Sequence, residues 1–268
     1  MSNAAIVSVN FVDATVAVLS ALGALSSAPV TNLINPHVGK KWRHVATSSW
    51  VLADLGSLKS IDSTMLAGVA GPPTPSFRVR YSTADATGAA GDAHDSGVVS
   101  GLPYFDTNYQ RFVYLNTNAV SARYARIDIS NIGSPDVTPY VEAGRWCVGD
   151  RDVFATNFAS GWQRSIVRGS VDSFGVGGQT FVDLRRGHEV TLVQFQFLTE
   201  TERTTFIDTI STSIMNVGHL DMLWLRDPAS ANLSRDSVWG YVDGDLQLSQ
   251  QFTANQLYTL QITIRQRL

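Results

Sequence analysis

From Leu257 to Arg267 the chain alternates strictly, and this run constrains the fold more than any other feature. Tyr258, Leu260, Ile262 and Ile264 interleave with Thr259, Gln261, Thr263 and Arg265. A period of two puts apolar side chains on one face of a pleated strand and polar ones on the other. The period recurs. Phe77, Val79 and Tyr81 alternate with Arg78 and Arg80, and Ala125, Ile127 and Ile129 with Tyr124, Arg126 and Asp128. Val193, Phe195 and Phe197 form one face of a further strand. Turn chemistry separates the runs at Gly71-Pro72-Pro73, Gly88 to Gly91, Gly133 to Pro139, Gly175 to Gly178 and Asp243-Gly244-Asp245. Short strands punctuated in this way predict a mainly β protein built as a sandwich or barrel.

One helix is predicted. Thr199 and Glu202 have capping-box spacing. Phe206, Ile207, Ile210 and Ile214 follow at helical spacing, and Gly218 stands where a C-cap glycine belongs. The helix is expected from Thr199 to Val217. Strands and long turns alone precede Gly149, and the helix comes after it. The domain boundary is therefore placed near residue 150, giving domains 1–149 and 150–268.

Charged residues make up 16% of the 268 residues and the formal net charge is -3. The hydrophobic share of 44% excludes a disordered chain. The absence of a basic excess argues against a nucleic-acid binder. Cys147 is the single cysteine, so neither an internal disulfide nor a multi-cysteine zinc site is possible. It lies in an apolar stretch and is expected to be buried. The apolar run from Ala14 to Ala28 is too short and interrupted to span a membrane. It lacks the charged start of a signal peptide, so folding in a cytoplasm is expected. His37, His44, His94, His188 and His219 show no HxH or HExxH spacing, and there is no GxSxG elbow. Gly175 to Gly178 reads as a turn, since no Lys-Ser/Thr pair follows it. Asp227, Asp236, Asp243 and Asp245 sit in or beside turns, where Asp is expected in any case. No enzyme is predicted, and no catalytic or metal-ligating set.

Thr31-Asn32-Leu33, Trp42, Trp50 to Gly56, Ile61-Asp62, Leu66-Ala67-Gly68, Phe77 to Ser82, Ala122 to Ile127 and Tyr140 to Gly144 follow one another in the first half. In this order they resemble the discoidin or galactose-binding-like jelly roll shared with carbohydrate-binding modules. The likeness implies a lectin-like module. Trp42, Arg43 and His44, with Asn35 and His37 just before them, are the candidate carbohydrate-binding residues. Aromatic rings stack on sugar faces, and Arg, His and Asn bond hydroxyls. For Trp42 and Trp50 packing in the core or at its rim is the first reading, since aromatic rings dominate core area, and sugar stacking is the second. Arg43 and His44 are open to solvation or to pairing with a neighbouring subunit. The family also implies a structural calcium, for which Glu142 is the carboxylate at hand. Asp54 is expected to bond turn amides before Gly56. Arg123 and Arg126 fall on opposite faces of their strand.

In the second half Arg185-Arg186-Gly187-His188 reads as a hairpin turn, followed by the helix, a strand from His219 to Leu225, and Trp239-Gly240-Tyr241-Val242 before a closing hairpin. This order resembles the ring-forming domain of bacteriophage or gene-transfer-agent tail-tube and distal tail proteins, a β-sandwich or barrel flanked by one helix. This resemblance implies a structural protein of a tail tip or baseplate, made in a bacterial cytoplasm and assembled into the virion. Its partners would be copies of itself in a ring, six-fold or alternatively three-fold, together with tail tube and tail hub proteins. Host polysaccharide would be a further partner. Neither a membrane nor sequence-specific nucleic acid is implied. Large apolar residues such as Trp224, Trp239 and Phe252 are open to the ring interface or to the core. The alternative is a free carbohydrate-binding protein or a module of a glycan-degrading system.

Overall fold

The computed structural model describes residues 2–14, 16–70, 75–100, 110–132, 139–159, 161–174, 176–217, 220–244, 246–252 and 257–268. The expectations placed on Gly71-Pro72-Pro73, on Gly133 to Thr138, and on Gly175, Gly218, His219 and Asp245 lie outside these residues, as do those on the side chains of Phe206 and Phe252. The strands, in chain order, are β1 (Ala5–Val7), β2 (Val18–Ala21), β3 (Trp42–His44), β4 (Ser49–Val69), β5 (Ser76–Ser82), β6 (His94–Asp95), β7 (Val99–Ser100), β8 (Gln110–Ser130), β9 (Val141–Ala143), β10 (Arg145–Gly149) and β11 (Asp152–Val153). They continue as β12 (Gln163–Val167), β13 (Val171–Phe174), β14 (Thr180–Asp183), β15 (His188–Leu198), β16 (Asp221–Leu225), β17 (Ser237–Val242), β18 (Gln247–Phe252) and β19 (Leu257–Gln266). The protein is mainly β, as its alternation requires, and its sheets are open rather than closed into barrels.

The chain forms two compact units, Met1–Val153 with Met222–Val238, and Phe154–Asp221 with Trp239–Leu268. Residues 222–238, which the sequence places in the second domain, thus belong to the first unit. Strand pairing is the reason: Ile6 of β1 faces Trp224, and Ala5 faces Leu225. Ser2 adds two bonds to Asp227 Oδ1, from its N–H at 3.1 Å and its hydroxyl at 2.8 Å. Contacts this distant in sequence leave no local signal.

In the first unit the main sheet runs β10-β4-β8-β5-β6, with β2 also on β4 and β7 on β5. Between Ser49 and Leu55 the burial of β4 largely alternates, whereas Ile61 to Val69 is buried throughout because both faces are covered. The core joins Val51, Ala53 and Leu55 to Phe77, Val79, Tyr81 and Ile127. Phe77 and Phe112 stack at 4.1 Å. β3 and β9 form a small separate sheet whose Trp42, Val141 and Ala143 complete this core. Cys147 is buried, and loss of solvation pushes its thiol up to about 12.

In the second unit β15 lies between β12 and β19, and β17 and β18 both pair with β19. The expected single face of Val193, Phe195 and Phe197 is broken. A bulge lies between Phe195 and Leu198, and Phe197 adopts φ 62°. The extra residue sends Phe197 outward and brings Leu198 into the core. The helical segment begins as α1 (Glu200–Glu202), passes through a π turn (Arg203–Ile207) and continues as α2 (Asp208–Val217). Thr199 and Glu202 form the capping box. Ile207 and Ile210 are buried. Arg185 to Gly187 is not the turn of a hairpin. It links β14 to β15 within one long hairpin whose tip is the ribbon β13–β14.

Candidate carbohydrate-binding surface

β3 pairs with β9 so that Trp42 faces Ala143, Arg43 faces Glu142 and His44 faces Val141. Alternation along β3 sends Trp42 inward and Arg43 outward. Trp42 is fully buried, and its indole N–H donates to the Gly23 carbonyl at 3.4 Å. It presents no ring face to a ligand, which corrects the stacking role open to it in the sequence. Its area is spent on the core.

His44 is also tied into the structure. Its Nδ1 lies 2.9 Å from Ser49 Oγ, and the Ser49 hydroxyl donates to the Leu22 carbonyl at 3.1 Å. With that hydrogen committed, His44 Nδ1 is the donor, an assignment made from the network. The imidazole covers Gly23, where a Cβ would come within 2.3 Å of Nε2. Partial burial lowers its pKa from the ordinary histidine value, because desolvation disfavours the cation. His37 is exposed on a turn in which its N–H donates to Asn35 Oδ1 at 3.0 Å. The structure therefore separates the candidates: Trp42 lies in the core, His44 packs on a glycine, Asn35 accepts a bond in the turn before β3, and Arg43 and His37 are on the surface.

Arg43 is the best placed of them. Its Nε and Nη2 both donate to Glu142 Oε1, while Lys41 Nζ stands 3.3 Å from Oε2. The guanidinium carbon lies 5.0 Å from the centre of the Tyr140 ring. Arg43 is 44% exposed at its side chain and Glu142 only 11%. A nearly buried carboxylate thus holds a half-exposed planar cation in place beside a half-buried phenol. Among the described residues, neither Arg43 Nη1 nor the Tyr140 hydroxyl makes a hydrogen bond within the chain. Glu142 does not fit the calcium role that the family implies, since both its oxygens face cations. Among the described residues no group of three or more His, Cys, Asp or Glu side chains could hold a metal ion. Tyr140 was not among the residues singled out for binding. It becomes visible only through the β3–β9 pairing.

Two other polar assemblies lie in the same unit. On the outward face of β4, β8 and β5, Arg126 lies over Trp50 and shares Asp128 with Arg80. These groups satisfy one another. A cleft of about 380 Å³ is lined by Leu115, Asn116, Thr117, Arg151, Val153 and Pro228 among others. Its guanidinium is held by Asp62 Oδ2 at 3.2 Å and by the Asn116 carbonyl at 3.1 Å. Burial raises the Asp62 pKa above its ordinary value.

No protein-family model and no curated protein matches the chain. Among solved structures it is similar to the family 32 carbohydrate-binding module of NanJ from C. perfringens in complex with galactose. That match has 11% identity and a TM-score of 0.39, and covers 55% of this chain and 99% of the module. It is similar to the family 32 module of AlyQ in complex with 4,5-unsaturated mannuronic acid, with 18% identity, 49% and 92% coverage and a TM-score of 0.36. A chitosan-binding module from a chitosanase/glucanase of Paenibacillus sp. IK-5 matches at 13% identity, with 53% and 98% coverage and a TM-score of 0.38. Each of these likenesses spans about half of this chain.

Proposed function

We propose that the first unit is a non-catalytic carbohydrate-binding module whose sugar-facing surface is centred on Arg43, Glu142 and Tyr140, with His37 on the turn before β3. The observation that carries this reading is the Arg43 guanidinium, fixed by a nearly buried carboxylate yet half-open beside an aromatic ring. Nε and Nη2 are committed to Glu142, so the remaining guanidinium N–H groups, those of Nη1 above all, are held ready to read adjacent hydroxyls or a carboxylate at low entropic cost. A partly exposed aromatic ring packs on the apolar side of a sugar. Two cations, Lys41 and Arg43, meet one carboxylate here, so an acidic glycan is favoured over a neutral one. The test is a glycan array of the full chain beside Arg43→Gln and Tyr140→Ala. Binding to acidic polysaccharide that falls at least tenfold in both variants supports the site. Binding unchanged in both, or none to any glycan, overturns it.

A second reading is assembly: a structural component of a bacteriophage tail tip or baseplate, ring-shaped, made in the bacterial cytoplasm and carried in the virion. It is supported by the resemblance of the second half and by one observation, the exposed apolar ribbon β13–β14. Imaging of purified particles with an antibody against the chain tests it. Labelling confined to the tail tip is the expected result.

A further inference from the structure

The cleft of about 380 Å³ in the first unit is built where three strand ends meet a break in a fourth strand. β11, β1 and β16 lie side by side, and the chain at or next to their ends contributes Val153, Ser2 and Pro228 to the lining. β8 contributes Leu115, Asn116 and Thr117, just where it loses register with β4. Small-molecule sites run from about 300 to 1,000 Å³, so the volume suits about one or two sugar rings rather than a long chain.

The free polar groups here are donors. Asp62 holds Arg151 at two points: Oδ1 accepts its main-chain N–H at 3.0 Å, and Oδ2 stands 3.2 Å from Nε. Arg151 Nη2 donates to the Asn116 carbonyl at 3.1 Å. Asn116 Oδ1 accepts the Thr117 N–H at 2.9 Å, which fixes the side-chain amide and leaves its NH₂ group over. Among the described residues, Arg151 Nη1, Asn116 Nδ2 and the Thr117 hydroxyl make no hydrogen bond within the chain. Leu115, Val153 and Pro228 stand in the same lining as aliphatic surface. Fixed donors beside aliphatic groups fit an acceptor oxygen that carries a small alkyl neighbour.

The charges exclude an ionic ligand. Arg151 is the one cation among the lining residues, and Asp62 already pairs with it. Arg226, at the end of β16, is taken by Asp236. Asp150 and Asp152 flank Arg151 in the chain, and Asp227 precedes Pro228. Burial, and then Asp150 and Asp62, push the Asp152 carboxyl above its ordinary value, as crowded negative charges do. No net positive charge is left over for a carboxylate or phosphate, and an ammonium would meet N–H groups. A neutral ligand fits both the field and the donors.

We propose that this cleft is a second ligand site of the first unit and takes the acetamido group of a neutral N-acetylated amino sugar. The carbonyl oxygen accepts from Arg151 Nη1 and Asn116 Nδ2, and the methyl group packs on Leu115, Val153 and Pro228. The choice of a sugar rests on the carbohydrate-binding reading. The site itself is separate, since neither Arg43, Tyr140 nor Glu142 lines it.

The experiment is titration of the full chain with N-acetylglucosamine and its β-1,4-linked dimer, followed by NMR of the side-chain amides. Asn116→Asp keeps an acceptor for the Thr117 N–H and identifies the Asn116 signal by its loss. Thr117→Trp fills the cleft from an exposed position. Melting curves that match wild type verify folding of both. The Asn116 amide should shift and saturate in the millimolar range, and affinity should fall at least tenfold in both variants and stay unchanged in Arg43→Gln. Glucosamine, which lacks the carbonyl, and glucuronic acid, which is anionic, should bind at least tenfold more weakly. No saturation in wild type at tens of millimolar overturns the proposal, as does binding that survives both cleft variants. Binding lost in Arg43→Gln alone places the sugar on the Arg43 surface, which overturns the cleft and leaves the carbohydrate-binding reading standing. Glucuronic acid bound as tightly as N-acetylglucosamine overturns the neutral ligand, and N-methylacetamide bound as tightly overturns the sugar. Acidic polysaccharide that binds Asn116→Asp as it binds wild type and fails to bind Arg43→Gln supports the first site whatever the cleft does.

Discussion

Arg123 donates to Asp54 twice, from Nε to Oδ1 at 2.7 Å and from Nη2 to Oδ2 at 2.8 Å, where β4 and β8 lose register. Asp54 Oδ1 also accepts the N–H of Gly56 at 2.9 Å, and Gly56 adopts φ 76°. One carboxylate thus closes a left-handed turn and ties it to the neighbouring strand. Asp54→Asn should keep the Gly56 bond and lose the fork, with a small fall in urea midpoint that high salt largely removes from the comparison. Asp54→Ala should fall further, because the turn amide loses its acceptor. Equal midpoints for the two variants would show that the turn bond contributes nothing.

Acid should weaken a second pair in a defined window. Hydrogen bonds from Arg78 hold the Asp95 carboxyl down at about 2. A lowered carboxyl pKa means that the unfolded chain binds more protons than the folded one between the two values. The stabilisation is complete above the ordinary carboxylate pKa of about 4. It is lost as pH falls from there to about 2. Both side chains are a third or more exposed, or nearly so, which keeps the effect small. Asp95→Asn should flatten the acid limb of stability against pH in that window and leave the slope near neutrality unchanged. Stability curves of the two proteins that run parallel from pH 5 to pH 2 would contradict this.

Gly23 should tolerate no side chain. It adopts φ 66° and lies under the His44 ring. Gly23→Ala imposes about 1–2 kcal/mol of left-handed strain. It also drives a methyl into the imidazole, so the total should exceed that figure in urea unfolding. The clash is specific. Gly23→Ala combined with His44→Ala should recover part of the loss, whereas simple addition of the two effects would refute the contact.

The two tryptophans that bracket this region show how far the sequence was legible. Residue type was sufficient to group Trp42 with Arg43 and His44. Its direction depends on β9, almost a hundred residues away, and no local pattern encodes that partner. Trp50 likewise lies under Arg126, 4.6 Å from guanidinium carbon to ring centre, a contact made only once β4 and β8 are aligned. Residues 222–238 join the first unit for the same reason. Trp42→Ala should cost about 3–5 kcal/mol as a large-to-small change in a packed core. Trp42→Phe should cost less. Loss of glycan binding by Trp42→Ala with unchanged stability would instead return the residue to the surface.

Glu202 combines a legible half and an illegible one. The capping box was readable because its partners are three residues apart. Glu202 Oε2 accepts from the Thr199 N–H and hydroxyl, both at 2.9 Å, and Thr199 Oγ1 accepts the Glu202 N–H at 3.3 Å. The other oxygen was not readable. Oε1 accepts the N–H groups of Ala155 and Thr156 at 3.0 and 3.1 Å, some 46 residues back along the chain. The carboxylate therefore caps the helix and also anchors the segment that opens the second unit. Glu202→Ala should lose a cap, about 0.5–2 kcal/mol, and strand two part-buried amide donors, at about 1–3 kcal/mol for each that water fails to reach. Glu202→Gln keeps one acceptor oxygen and must present an NH₂ group to donors on the other side. Its loss should be intermediate, and hydrogen exchange should locate it. If the Gln NH₂ turns toward the segment, the amides of Ala155 and Thr156 should exchange faster while that of Thr199 stays protected. In Glu202→Ala, which has no acceptor left, fast exchange confined to the helix with residues 155 and 156 unchanged would show that Oε1 does not hold that segment.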